Sequence, residues 1–307
     1  MNKKYILGLI AIVLLIVSFL FLFSNKKEKV VSVSKVKVVT SFYPLYFLTS
    51  QIGGDKVEVL NITPAGAEPH EYEPTARDMV DIENSNLLVL NGGGLESWGV
   101  NIESNLSIKN IKIITAGEGL TTNFIEEEGQ KRIDPHVWLS PILFKQMADK
   151  IENGLSEIDP RNASYYKSNA NNLKGQLSKL DEEFKKGLTN CQTNNIITSH
   201  SAFEYLAQAY NLKQVSITGL STEEEPSSKE MIEIVKFAKD NNVKYIFFES
   251  LASPKLSETI AKEVGAKTLV LNPIEGLTED EINGGEDYFS VMRENITNLK
   301  IALQCTQ

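Results

Sequence analysis

Lys3 and Lys4 precede an apolar run at residues 5–23 that carries no charged side chain. As a helix these nineteen residues would extend roughly 28 Å, close to the hydrocarbon thickness of a bilayer. The run ends in Phe-Leu-Phe-Ser without an Ala-x-Ala-like exit, so it reads as an uncleaved membrane anchor. The polar Lys/Ser/Val-rich residues that follow read as a tether, and together the anchor and tether make a first segment, 1–35. Beyond it the pattern changes to short apolar runs, buried-strand in character, alternating with helical periodicity. Strands are predicted at 36–40, 87–90 and 111–115, with helices at 44–52 and 75–84. A second series places strands at 195–198, 215–218, 245–248 and 268–271, with helices at 201–210, 227–241, 254–265 and 286–303.

Between the two series lies a different pattern. Asp159-Pro160 makes a helix start, and Tyr166, Ala170, Leu173, Leu177, Leu180, Phe184 and Leu188 recur every four and three residues. This predicts one amphipathic helix about 27 residues and roughly 40 Å long, a rigid spine that keeps domain motion modest. The fold class is therefore α/β, with two lobes of mainly parallel sheet and flanking helices. The lobes are expected at 36–159 and 189–307, joined by the helix at 160–188.

Composition sharpens this in three ways. At 42% hydrophobic and 23% charged residues the chain is a foldable globular one, not a rod or a polar tail. Its net charge is −9, and because residues 1–35 hold six Lys and one Glu, the rest of the chain carries −14. Such a body repels phosphate backbones, which argues against a nucleic acid partner and for cations. Cys191 and Cys305 are the only cysteines, neither placed for lipid attachment after the apolar run. Disulfide and free thiols stay equally open, since pairing geometry cannot be read from sequence.

Only three histidines occur, His70, His136 and His200, separated by 66 and 64 residues. No local metal-binding spacing is present; Pro74 stands where a His-Glu-x-x-His motif needs its second histidine. Each nevertheless falls in a predicted loop where α/β folds build sites. His200 follows the strand at 195–198, His136 precedes a helix after Asp134-Pro135, and His70 ends a Pro/Gly-rich loop. Isolated loop histidines are usually solvated, but three at possible cleft edges make metal binding the best specific alternative.

Five strings carry a resemblance. They are Thr40-Ser-Phe-Tyr-Pro-Leu45, Pro64-Ala-Gly-Ala-Glu-Pro-His-Glu-Tyr-Glu-Pro-Thr75, Asp134-Pro-His-Val-Trp-Leu139, Ser199-His-Ser-Ala-Phe-Glu-Tyr205 and Gly285-Glu-Asp-Tyr-Phe-Ser-Val-Met292. In order and spacing the chain resembles, from about residue 36 to 303, the zinc/manganese-binding lipoproteins of ABC importers. The resemblance implies two α/β lobes joined by a long backbone helix and clamped around one metal ion, which is delivered to a membrane permease; the protein is expected to be a monomer. It maps two ligands onto the first lobe, His70 and His136, and His200 with a carboxylate onto the second. That carboxylate is assigned to Glu275 in the loop after the strand at 268–271, with Glu279, Asp280 and Glu281 nearby in an acidic run. Glu249, at the end of its strand, is either an acceptor for an imidazole N–H or a salt-bridged strand end. Ser201 departs from the Asp that often follows the histidine in relatives, and residues 121–133 carry no histidine where zinc-type relatives have a His-rich loop.

Three imidazoles and one carboxylate suit tetrahedral Zn²⁺ better than Mn²⁺, which prefers more oxygen and higher coordination. The expectation is therefore an extracytoplasmic zinc-binding protein, not an enzyme. A zinc hydrolase or hydratase on the same histidines would need an open position for water, which a fourth protein ligand closes. Adhesion through an exposed surface, with a structural metal, is a third reading.

Overall fold

The structure, a computed structural model, describes residues 2–24, 35–99, 102, 111–127, 130–221 and 226–306. It divides into two units, residues 1–34 and residues 35–307. The tether expected before residue 36 lies largely outside the described residues.

In the first unit, helix α1 (Lys3–Ser24) is 22 residues long. Counting only described residues, no helix is long and apolar enough to cross a membrane.

The second unit begins with β1 (Val36–Thr40), α2 (Tyr43–Gly53), β2 (Val57–Asn61), α3 (Ala76–Glu83), β3 (Leu87–Leu90) and β4 (Lys112–Thr115). Its sheet has the order β2-β1-β3-β4 with every pairing parallel. β3 is buried at all four positions, as Leu-Leu-Val-Leu demands. Edge strand β2 instead alternates, with Val57 buried and Glu58 and Leu60 exposed; it is an element the apolar-run criterion did not pick out. An antiparallel hairpin, β5 (Phe124–Glu127) and β6 (Gln130–Ile133), leads to His136. Helix α4 (Pro141–Ile158) follows, with Ser140 capping it by accepting from the Leu143 amide.

The long helix α5 (Ala163–Gly187) begins three residues later than its sequence suggested. Pro160–Asn162 forms a separate 3-10 turn, because Asp159 Oδ2 accepts from Asn162 Nδ2 at 2.6 Å and from Tyr166 OH at 2.9 Å instead of capping a continuous helix. The expected stripe of α5 is buried from Tyr166 to Phe184.

The second lobe runs β7 (Asn195–Thr198), α6 (Glu204–Tyr210), β8 (Lys213–Ser216), α7 (Ser228–Asp240), β9 (Tyr245–Phe248), α8 (Lys255–Val264) and β10 (Lys267–Val270). It ends with α9 (Glu279–Gly284) and α10 (Tyr288–Ala302). The sheet order is β10-β9-β7-β8, again parallel throughout. β8 starts two residues before the predicted 215–218. The acidic run at 279–281 opens a helix, with Thr278 and Glu281 forming a capping box.

One apolar core joins both sheets to α5: Phe42, Leu48 and Trp138 belong to the same cluster as Leu177, Phe184, Phe203, Leu271 and Tyr288. The Phe144 and Tyr288 rings stack at 4.3 Å across the lobes. Trp138 Nε1 donates to the Pro273 carbonyl at 2.7 Å, and Tyr288 OH donates to the Trp138 carbonyl at 2.6 Å. Cys191 and Cys305 form a disulfide, which settles the pairing left open above and ties the start of the second lobe to the end of the chain.

Candidate metal centre

All four side chains of the cluster come from loops that follow strands or precede helices. His70 lies between β2 and α3, and His136 immediately before the turn Val137–Leu139 that leads into α4. His200 follows β7, and Glu275 follows β10. Parallel strands leave their carboxyl ends at one edge, so side chains far apart in sequence meet there.

The three Nε2 atoms and Glu275 Oε1 converge. His136 Nε2 lies 3.2 Å from His70 Nε2, 3.3 Å from His200 Nε2 and 2.9 Å from Glu275 Oε1. Glu275 Oε1 is 3.4 Å from His70 Nε2 and 3.3 Å from His200 Nε2. The four groups all lie within 4.8 Å of one another. A tetrahedral ion with bonds of about 2.0 Å requires ligand separations of about 3.3 Å, and the five measured edges, 2.9–3.4 Å, bracket that value.

Hydrogen bonds behind the rings determine which nitrogens face inward. His136 Nδ1 donates to Asp134 Oδ1 at 2.7 Å, and the same oxygen accepts the His136 amide at 2.9 Å. His200 Nδ1 donates to Glu249 Oε1 at 2.5 Å, and Ser199 Oγ also donates to that oxygen. Ionised carboxylates only accept, so in each neutral ring the proton sits on Nδ1 and the Nε2 lone pair faces the cluster. Lone pairs at these separations repel unless protons or a cation lie among them.

The electrostatics reflect this. Burial alone would lower the pKa values of His136 and His200, but Asp134 and Glu275 hold His136 above its ordinary value. Glu249 and Glu275 hold His200 well above it. His70 is lowered, chiefly by burial. Burial would raise Glu275, yet His200, His136 and His70 together hold it well below the usual carboxylate range. Glu68 moves the other way, to about 10, through burial and its interaction with the Glu275 carboxylate. Neither Glu68 Oε1 nor Glu275 Oε2 has a conventional donor, and a proton retained on Glu68 lets the two carboxyl groups share a hydrogen bond.

Thus the structure brings His70, His136, His200 and Glu275 together, places Glu249 behind His200, and leaves Glu279, Asp280 and Glu281 on α9 outside the cluster. Sequence reasoning missed Asp134 and Glu68. Asp134 carried a signal, a carboxylate two residues before a histidine across a proline; Glu68 carried none apart from standing beside Pro69-His70. His70, 11% exposed, is the cluster's contact with the cleft mouth. That mouth is a cavity of about 500 Å³ lined in part by His70, Glu71, Gly93, Lys131, Arg132 and Ser221.

Fold and cluster together define the class: a two-lobed α/β protein with a tetrahedral, cation-sized donor set at the facing edges of two parallel sheets. Residues 38–302 match the family described as ZnuA, zinc-uptake complex component A, periplasmic, and the chain belongs to that family. It is 39% identical over 293 residues to the zinc-binding lipoprotein AdcA of Streptococcus pneumoniae, covering 92% of this chain and 58% of that protein. To the high-affinity zinc uptake system protein ZnuA of Bacillus subtilis it is 37% identical over 280 residues, 88% of each. Among solved structures, the Zn(II)-bound ZnuA-like domain of Streptococcus pneumoniae AdcA superposes with a TM-score of 0.76 at 38% identity, covering 88% of this chain and 99% of that one. The chain therefore spans little more than half of the streptococcal AdcA proteins it matches, 58%.

Proposed function

We propose that this protein captures Zn²⁺ between its lobes through His70, His136, His200 and Glu275 and delivers it to an ABC permease. The observation that carries the reading is the set of donor separations, which suits a tetrahedral ion with bonds of about 2.0 Å and is too compact for the higher coordination Mn²⁺ prefers. Two further features support it: relatives named for zinc uptake and binding, and Nδ1 partners that leave two imidazole lone pairs facing inward.

The protein is a carrier, not an enzyme. A catalytic zinc keeps a position for water, and here a fourth protein donor, Glu275 Oε1, completes the tetrahedron. It acts as a monomer at the outer face of the cytoplasmic membrane, held there by α1, whose uncharged stretch at residues 5–23 supports anchoring. The mouth differs from a histidine-rich collecting loop: Lys131 and Arg132 stand at its rim, and no histidine occurs in residues 121–133. Capture accordingly depends on the cluster.

The test is zinc titration of the purified protein and of His200→Ala, with the bound element identified at its X-ray absorption edge. One zinc per chain and an orders-of-magnitude loss in the variant are expected; an unchanged dissociation constant removes His200 from the site. Zinc bound by only three protein donors plus water, with ester or hydration turnover, would instead favour an enzyme.

A further inference from the structure

Glu275 is preceded by a residue in an unusual conformation. Among the described residues, five other than glycine have positive φ: Asn190, Asn211, Asn242, Gln304 and Ile274. Asparagine tolerates the left-handed region because its side chain is short and polar, whereas a β-branched side chain there is a steric outlier. Ile274, at φ 57° and fully buried, is the one β-branched member of that group. Such strain persists only where neighbouring contacts hold it.

Hydrogen bonds on either side of Ile274 supply those contacts. The Ile274 amide donates to Asn272 Oδ1 at 2.7 Å. Asn272 is fixed in turn by Asn295 on α10, which accepts its amide at 2.8 Å and donates to its carbonyl at 2.7 Å. The Pro273 carbonyl is held by Trp138 of the other lobe. Downstream, the Leu277 carbonyl accepts from the Gly66 amide at 3.0 Å. Residues 272–273 and 277 are thus anchored, and the stretch between them, Ile274-Glu275-Gly276, can turn as a crank. Glu275 is drawn inward through Oε1, which faces three imidazole nitrogens.

We propose that Ile274 is the hinge of the site: its left-handed backbone is held while Glu275 ligates the cation, and relaxes as the cation leaves, carrying the carboxylate away. This rests on the zinc-site reading above. It assigns Glu275 as the mobile ligand and the loop after β10 as the moving part, so that release needs a local turn of three residues and not separation of lobes that share one core.

The test compares Ile274→Gly with Ile274→Ala. Both remove the buried side chain, but only glycine adopts the left-handed conformation freely. If strain is specific to the bound state, the glycine variant releases zinc to a competing chelator about 5–30-fold more slowly than the alanine variant. The unfolding midpoints of the two zinc-free variants then stay alike. Equal release rates, or a glycine advantage equally large with and without zinc, overturn the hinge while leaving the zinc site standing; failure of the unaltered protein to bind zinc ends both. Should both variants fold poorly, amide hydrogen exchange of the unaltered protein decides. Loss of protection at Ile274 on zinc removal, with Asn272 still protected, supports the hinge, and equal protection of Ile274 in both forms refutes it.

Discussion

The titration of zinc affinity with pH follows from which groups in the cluster hold protons. In the cation-free protein His136 and His200 keep theirs above the ordinary imidazole value, because Asp134, Glu249 and Glu275 outweigh the effect of burial. His70 loses its proton below that value, and Glu275 is ionised throughout the neutral range. Zinc requires all three imidazoles neutral. Between the raised values of His136 and His200 and about 6.5, two protons therefore compete with each zinc, and each proton weakens binding tenfold, or about 1.4 kcal/mol, per pH unit once its group is protonated. The dissociation constant should rise by up to about 100-fold per pH unit over that range, and more steeply below it, where His70 contributes a third proton. Calorimetry in buffers of different ionisation enthalpy counts the protons released, and chelator competition gives the constant. The stability of the zinc-free protein has the opposite sign. Raised histidine pKa values contribute stability that is complete below about 6.5, the unfolded value, and is lost as pH rises through the folded values. His70 opposes this, disfavouring the fold as pH falls through its lowered value. Zinc binding that releases no protons, with affinity flat from about pH 6 to about pH 8, would refute the assigned ligands and their protonation.

Other predictions use different perturbations. Glu249→Gln keeps the shape but removes the charge behind His200, and should weaken zinc binding about 10–100-fold while the circular dichroism spectrum stays unchanged; full affinity would make Glu249 a bystander. Replacing Cys191 and Cys305 together by serine opens a crosslink between residues 114 apart, with an expected cost of about 4–5 kcal/mol in a guanidinium titration. Zinc stoichiometry should survive that change, and its loss would mean that the disulfide shapes the site. Zinc at about 100 times its dissociation constant should stabilise the fold by about 2.7 kcal/mol. Co²⁺ in the same site should show the intense visible absorption of a tetrahedral ion; a weak octahedral spectrum would contradict a site of four donors.

Legibility in the sequence followed burial. Strands covered on both faces, such as Leu87–Leu90 and Tyr245–Phe248, stand out as apolar runs, and the spine helix stands out through its three-and-four spacing. Val57–Asn61 escaped because an edge strand alternates and spends half its positions on solvent. The hairpin at 124–133 escaped because β6 is exposed at every position, leaving no apolar pattern to read. Within the site, scarcity made the histidines visible: three in the whole chain, each in a loop. The partners behind them were less so, because an acceptor for a ring N–H is chosen by distance in space. Glu249 stood at a strand end, where either a salt bridge or an imidazole was possible, and only the 2.5 Å separation from His200 Nδ1 distinguishes them. Glu68 could not be read as special at all, since its raised pKa arises from the meeting of two loops about two hundred residues apart in sequence, 68 and 275.

The same meeting of loops explains how a compact site can sit between lobes that share one core. His136 and Trp138 leave the first lobe in one short turn, and Pro273 and Glu275 leave the second in another. The Trp138–Pro273 hydrogen bond joins these turns two residues from a donor on each side. That bond and the Phe144–Tyr288 stack lie within the continuous core around α5, so their separation would expose apolar surface and break buried polar contacts together. His136 and the position of the Pro273 carbonyl are accordingly fixed relative to each other. On the hinge proposal, freedom is left at the two ends of the donor set: at His70, which borders the mouth, and at Glu275, which follows the left-handed Ile274. A carrier, the function proposed here, must hold its cation tightly and still let go. A rigid pair of inner donors with adjustable outer ones does both, because affinity is set by how well four donors fit while release needs only one of them to turn.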